Sequence, residues 1–71
     1  MTLYFEDKNG VSRKLADVRN EAETMEEINK FIAYCNKGRK KPFKPPYVRT
    51  WEDDGKKWYD VGSHSEYFYV S

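Results

Sequence analysis

The chain has 71 residues, a net charge of +1 and one cysteine, Cys35, so it can form one small domain that no internal disulfide stabilises. One cysteine and one histidine cannot fill the usual four-ligand zinc site, no apolar run approaches a membrane span, and the N-terminus lacks the apolar segment of a signal peptide. We therefore expect a single cytoplasmic domain over residues 1–71, without metal, cofactor or membrane partner.

Residues 2–16 predict an N-terminal β-hairpin. A two-residue Asn-Gly turn and a three-residue loop that ends in a left-handed glycine are both compatible with the spacing. The longer loop places Phe5 opposite Arg13 and Leu3 opposite Leu15. It is preferred because it brings the apolar residues of both strands onto one face. Those residues are Leu3, Phe5, Val11 and Leu15.

Residues 25–36 carry the only helical pattern. Thr24 and Glu27 form a capping box at its start, and Gly38 offers a stop after its end. The apolar positions that recur at helical spacing are Met25, Ile28, Ile32 and Cys35, with Phe31 beside them. Because this stripe is narrow, the helix is expected to pack on one side only.

A basic, proline-rich segment at residues 37–46 follows the helix, and we call it the basic connector. Its cations are Lys37, Arg39, Lys40, Lys41 and Lys44. Pro42, Pro45 and Pro46 remove backbone donors and favour extended conformations, so the segment is neither helix nor central strand. It is too short to join two independent domains.

The last third of the chain predicts a three-stranded antiparallel meander. Its strands lie near residues 47–51, 56–61 and 66–70. A two-residue turn at Asp54-Gly55 aligns three opposite-charge pairs and one ring pair, each worth roughly 0.2–1 kcal/mol. These pairs are Asp53–Lys56, Glu52–Lys57, Arg49–Asp60 and Trp51–Trp58. A four-residue turn then places Tyr59 opposite Phe68 and Trp58 opposite Tyr69.

Side chains alternate across a pleated sheet, so this register divides the meander into two faces. One face collects Val48, Thr50, Tyr59, Val61, Phe68 and Val70. The other collects Tyr47, Arg49, Trp51, Trp58, Asp60, Tyr67 and Tyr69. One helix covers one face, so we predict a two-layer α+β fold in which the helix covers the first face and the rings of the second are exposed.

Two other arrangements would hide those rings. A register shifted by one residue would exchange the two faces and bury both tryptophans. Alternatively, the basic connector would fold over the rings, with Phe43 and the prolines as lids. The sequence leaves both open.

Four residues near the last turn have the chemistry of a hydrolase: Asp60, Ser63, His64 and Ser65. A Ser-His-acid triad needs nucleophile, base and orienting group in one geometry, with an oxyanion site and a pocket. Residues this close together on a tight turn do not supply that geometry, and no glycine-rich phosphate loop or metalloprotease helix pattern is present. We therefore predict a turn here and a protein that is not an enzyme.

The stretch KWYDVGSHSEYFYV, residues 57–70, resembles small uncharacterised proteins of bacteriophages and prophages of Gram-positive bacteria. The similarity covers the last hairpin and, more loosely, the N-terminal hairpin. It implies a small, non-catalytic accessory protein in the cytoplasm of an infected or lysogenic cell. Such proteins commonly bind a host protein, including defence nucleases. Inhibitors of nucleic-acid enzymes are often acidic mimics, and the basic centre of this chain departs from that pattern.

Charge and rings together give two functional hypotheses. Residues 28–50 carry seven cations and no carboxylate, whereas the segments on either side are acidic. The first hypothesis is binding of a host protein, or of a second copy as a homodimer, through an aromatic face with the basic connector beside it. Its contact residues are Tyr47, Arg49, Trp51, Trp58, Tyr67 and Tyr69. The second is nucleic-acid binding, with connector cations on phosphates and rings stacked on bases. The acidic flanks would repel nucleic acid, so the first is preferred.

Overall fold

The computed structural model describes residues 1–71 as five strands and one helix that form two layers. The elements are β1 (Thr2–Glu6), β2 (Ser12–Asp17), α1 (Glu21–Asn36), β3 (Arg49–Asp53), β4 (Lys56–Asp60) and β5 (Tyr67–Val70). All five strands belong to one antiparallel sheet with the order β2-β1-β5-β4-β3, and the helix packs on one of its faces. The predicted α+β fold is confirmed.

The N-terminal hairpin and the meander are joined into one sheet by the pairing of β1 with β5. Leu3 lies opposite Val70, and Phe5 lies opposite Phe68. Thr2 and Ser71 continue the ladder by exchanging two backbone hydrogen bonds, each 3.0 Å long. Because β1 and β5 fill the middle of the sheet, β2 and β3 are its two edges.

The first hairpin has the longer loop that the sequence predicts. Gly10 has a φ of +79°, and the backbone N–H of Asp7 donates to the carbonyl of Val11 over 3.0 Å. Phe5 lies opposite Arg13, as expected. The side chain of Asp7 stabilises the turn by accepting from the backbone N–H groups of Asn9 and Val11.

Two details of the first hairpin were predicted wrongly. A β-bulge lies between Tyr4 and Leu3, so Leu3 lies opposite Ala16 and not opposite Leu15. An extra residue in one strand shifts the pairing by one position and bends the strand. Val11 is 60% exposed, because it lies beyond the last paired residues of the hairpin and outside the area that the helix covers.

The helix begins four residues earlier than predicted. Asn20 is the N-cap, and its side chain accepts from the backbone N–H of Glu23 over 2.9 Å. The Glu23 carboxylate in turn accepts from the backbone N–H of Arg19 over 2.9 Å. The chain therefore carries two successive capping patterns, and the earlier one adds a turn to the helix. Thr24 lies inside the helix, where it is buried and donates its hydroxyl to the Asn20 carbonyl.

The core lies between the helix and the sheet face that the sequence assigned to it. Its buried residues are Leu3, Val18, Ile28, Tyr59, Val61, Phe68 and Val70. The partly buried rings of Phe5 and Phe31 pack against it and form a cluster with Phe68, with centroids 4.7–5.8 Å apart. Val48 and Thr50 were expected on this face but are exposed, because Thr50 lies on the edge strand β3 and Val48 just before it.

The register of the meander agrees with the prediction. All four expected pairs between β3 and β4 are present, and Asp54 and Gly55 form the turn with φ values of +53° and +75°. Tyr59 lies opposite Phe68, and Trp58 lies opposite Tyr69. The alternative register, which would have buried both tryptophans, is therefore wrong.

The basic connector runs on the helix side of the molecule. The Asn36 side chain donates to the Phe43 carbonyl over 2.7 Å and accepts from the Phe43 N–H over 2.9 Å. This clamp turns the Phe43 ring onto the core. Further along, Pro46 packs on Gly62, where a Cβ atom would lie 2.6 Å from the proline Cγ. The alternative in which Phe43 and the prolines cover the exposed rings is therefore wrong.

Candidate protein-binding surface

The face of the sheet opposite the helix carries a row of aromatic side chains, which we call the ring face. Its rings are Tyr4, Trp51, Trp58, Tyr67 and Tyr69. Four of the five were predicted. Tyr4 was missed because it reaches this face only through the pairing of β1 with β5, although its alternation with Leu3 and Phe5 is a local sign that it points away from the core.

The rings pack on one another in two groups that share Trp58. Trp51 and Trp58 are parallel within 7° with centroids 6.3 Å apart, and the edge of Tyr67 meets both at 84°. Tyr69 contacts Trp58 at 4.8 Å and stacks on Tyr4 at 4.9 Å. Offset and edge-on contacts of this kind are favourable for aromatic pairs. Each ring of the row is therefore packed against at least one neighbouring ring.

Exposure is uneven across the ring face. Trp51 is 38% exposed, and Trp58 and Tyr67 are half-buried. Tyr69 is only 7% exposed, because Tyr4 stacks on it and the Lys56 ammonium lies 5.0 Å from its ring centroid. Its hydroxyl donates to the Ser12 hydroxyl over 2.9 Å. This ring therefore supports its neighbours, and its contact with a partner stays a prediction.

Tyr47 lies apart from the ring face. It precedes β3, is 50% exposed, and approaches Gly62 at the side of the connector. No aromatic contact joins it to the other rings. The structure thus brings Trp51, Trp58 and Tyr67 together, but it leaves Tyr47 outside that group.

Arg49 is a cation held beside the rings. Its guanidinium donates to Asp60 Oδ2 over 2.7 Å, and its Cζ lies 5.8 Å from the centroid of Trp51. Asp60 is 4% exposed, and its other oxygen accepts from the backbone N–H of Gly62 over 2.8 Å. The Arg49 side chain remains 67% exposed. A buried carboxylate therefore fixes one end of a guanidinium that is still open to a partner.

The residues with hydrolase chemistry are used in other ways. Asp60 is occupied by Arg49 and Gly62, and Ser63 donates its hydroxyl to Glu66 over 3.2 Å. His64 is exposed on the turn with a φ of +57°. The turn predicted at this position is present, and no hydrogen bond joins the histidine to either serine. No group of three or more metal-ligating side chains is placed to hold a metal ion.

The cations of the basic connector are exposed and unpaired. Every ion pair in the structure uses a cation elsewhere: Lys14, Arg19, Lys30, Arg49 or Lys57. Lys30 belongs to the carboxylate-free stretch of the sequence, but it forms ion pairs with Glu26 and Glu27. The hydrogen bonds to these two carboxylates raise the pKa of Lys30. The five connector cations are therefore the free positive charge of this region.

An acidic cleft of about 490 Å³ lies between the tip of the β3–β4 hairpin and the start of the helix. Lys57 crosses it, and its ammonium lies 3.0 Å from the Glu21 carboxylate. That hydrogen bond raises the pKa of Lys57. The cleft was not predicted, because it depends on how the hairpin twists over the helix.

Two surfaces of this chain thus combine exposure with binding chemistry: the ring face with Arg49, and the basic connector. The helix has 16 residues and is neither long nor apolar enough to cross a membrane. Comparison with protein-family models, with curated proteins and with solved structures finds no match to the chain.

Proposed function

We propose that this chain is a non-catalytic accessory protein that binds another protein through its ring face. The observation that carries the proposal is that a row of packed rings lies on the one sheet face that neither the helix nor the connector covers. Contiguous exposed apolar surface on a small domain usually marks a contact site. Trp and Tyr are also the residue types that most often dominate binding energy.

The packing of the rings supports rigid recognition. Trp51, Trp58 and Tyr67 hold one another at fixed angles. Side chains that are already ordered lose little conformational entropy when they bind, and that entropy is a main cost of association. Trp51 is the most exposed of the three, so it is the expected anchor.

The positive charges beside the ring face favour a partner with negative charge. Arg49 stands beside Trp51, and the five connector cations are free of internal ion pairs. A partner with an apolar patch flanked by carboxylates would complement this surface. Such complementarity speeds association and selects among partners more than it adds affinity.

The resemblance to phage and prophage proteins favours a host protein as the partner, in the cytoplasm of the infected or lysogenic cell. Inhibition of a host defence or nucleic-acid enzyme is the mode of action that we infer from this context. The basic connector would then contact acidic side chains of that enzyme, and it would not mimic nucleic acid.

A capture experiment with matched variants tests the proposal. Immobilised wild-type chain is incubated with a Gram-positive bacterial lysate, and each captured protein is purified and titrated against Trp51→Ala and Tyr34→Ala. Tyr34 is the control, because it is 75% exposed on the helix. Loss of an anchor ring costs about 2 kcal/mol or more, which raises Kd at least about thirtyfold.

The two variants separate the outcomes. Trp51→Ala should weaken binding, and Tyr34→Ala should bind like the wild type. The ring-face proposal is contradicted if a captured protein binds both variants with equal affinity. It is also contradicted if only Tyr34→Ala weakens binding.

A second candidate is nucleic-acid binding, which the five unpaired connector cations favour. Single-stranded oligonucleotides titrated at low and physiological salt distinguish it, since phosphate-dominated binding weakens steeply with salt. A variant with the connector cations replaced by Ser would lose such binding and would keep a ring-anchored protein interface. Tight, salt-sensitive binding that the Ser variant abolishes would favour this second function.

A further inference from the structure

The two edges of the sheet differ in how open they are. β2 is interrupted by a bulge, which discourages a second strand from pairing. β3 has no bulge and no proline, and all five of its residues are exposed. The β3 edge is therefore the place where this sheet can accept another strand.

The turn determines which backbone groups face that edge. In a two-residue hairpin the residues that flank the turn, Asp53 and Lys56, form a hydrogen-bonded pair, and such pairs alternate along the ladder. Trp51 and Arg49 therefore direct their backbone groups to β4. Thr50 and Glu52 direct their N–H and C=O groups outward, where no strand of the monomer meets them.

The sequence of β3, Arg-Thr-Trp-Glu-Asp, is complementary in charge to itself when it is reversed. We propose that β3 pairs antiparallel with β3 of a second copy about a two-fold axis at Trp51. Thr50 and Glu52 of one copy exchange their backbone hydrogen bonds with Glu52 and Thr50 of the other. Arg49 then lies opposite Asp53 of the second copy, and the reciprocal pair forms by symmetry.

The same register places the two Trp51 residues opposite each other. They form a pair without backbone hydrogen bonds, the type in which Cα atoms approach to about 4.5 Å and side chains are closest. The parallel rings of Trp58 and Trp51 then continue into those of the second copy. The dimer would have one continuous sheet and one continuous ring face.

Neighbouring registers pair the charges less favourably. If the axis passes through Glu52, the two Glu52 carboxylates lie opposite each other. If it passes through Thr50, Asp53 no longer lies opposite Arg49 of the second copy. Upstream, Pro45 and Pro46 limit how far the pairing can extend. The dimer is independent of the proposed function, because the β3 edge can pair whether or not the ring face binds a host protein.

Sedimentation equilibrium from about 10 μM to about 1 mM tests the dimer, a range suited to a short interface. Thr50→Pro is the disrupting variant. It removes an N–H that has no partner in the monomer, so the β3–β4 hairpin stays intact while the dimer loses a hydrogen bond and meets a bulky ring. Thr50→Val is the matched control, because it keeps both the N–H and the branched side chain.

We expect the wild type to self-associate within this range, Thr50→Val to match it, and Thr50→Pro to raise the dimer Kd at least about tenfold. Amide hydrogen exchange of the wild type gives a readout that needs no variant. Exchange at Thr50 and Glu52 should slow as concentration rises, whereas Trp51 should be protected throughout by its bond to β4.

Three results would overturn the dimer: a monomer at every concentration, self-association that survives Thr50→Pro, or exchange at Thr50 and Glu52 that does not respond to concentration. A monomer that still binds a host protein through Trp51 would leave the proposed function standing. A dimer whose ring face binds nothing would leave the dimer standing and remove the proposed function.

Discussion

At the scale of single residues, Asp60 connects the sheet to the candidate binding surface. Its two oxygens accept from Arg49 and from the backbone of Gly62, and it is 4% exposed. The sequence predicted its pairing with Arg49 from the register alone. It did not predict the bond to Gly62, which depends on how the chain turns after β4.

Replacing Asp60 by Ala should lower the free energy of unfolding by about 1.5–3 kcal/mol. The change removes a charge-assisted hydrogen bond and leaves the Gly62 N–H without its acceptor. Urea denaturation of Asp60→Ala beside Asp17→Ala measures this. Asp17 is the control because it belongs to an exposed ion pair with Lys14 and should contribute at most about 1 kcal/mol. Equal losses in both variants would contradict the role given to Asp60.

At the scale of elements, the strands and the helix were predicted correctly where residues close together in the sequence determine the structure. The β3–β4 hairpin was predicted pair by pair, because a tight Asp-Gly turn and four adjacent cross-strand pairs agree on one register. The helix start was wrong because two capping patterns follow each other, and the sequence alone does not rank them. The bulge in the first hairpin was missed because its pairing also depends on β5.

The helix cap predicts a dependence of stability on pH. The side-chain hydrogen bond from Arg19, followed by the one from its backbone, lowers the pKa of Glu23 below its ordinary value. A glutamate whose pKa is lower in the folded state stabilises the fold at pH values above its pKa in the unfolded state, which is about 4.3. This stabilisation is lost as the pH falls through the pKa of the folded state. Glu23→Gln should therefore be less stable than the wild type at neutral pH.

The difference between the two proteins should shrink as the pH falls below about 4. Thermal denaturation across the acid range measures it. Arg19→Gln removes the side-chain partner of Glu23 and keeps the backbone partner, so it should weaken part of this pH dependence. A stability difference that stays constant with pH would show that the Glu23 carboxylate is not coupled to folding.

At the scale of the whole molecule, the fold class and the division into two faces could be predicted, because one helix cannot cover both sides of a sheet. The joining of two hairpins through β1 and β5 could not, since nothing local marks two strands at opposite ends of a sequence as neighbours. Because this pairing was not predicted, the set of residues predicted for the candidate binding surface differs from the ring face. Tyr4 was missed, Tyr69 is buried among its neighbouring rings, and Tyr47 stands apart.

Leu3 and Val11 test this larger arrangement, because the sequence put both on the core face and the structure separates them. Leu3 is fully buried in central strand β1, so Leu3→Ala should cost about 2–5 kcal/mol, enough to unfold much of a domain this small. Val11→Ala should change stability by less than about 0.5 kcal/mol. Circular dichroism during thermal denaturation measures both. Similar midpoints for the two variants would contradict the observed core.

The central position of β1 has a consequence during synthesis of the protein. The first hairpin gives β1 one neighbour early, but the strand that covers its other edge is β5. At a translation rate of about 5–20 residues per second, β1 waits roughly 3–13 seconds before β5 has been made. During that interval Leu3 and Phe5 of the nascent chain lie on an incomplete sheet. The core can therefore close only after β5 has been synthesised.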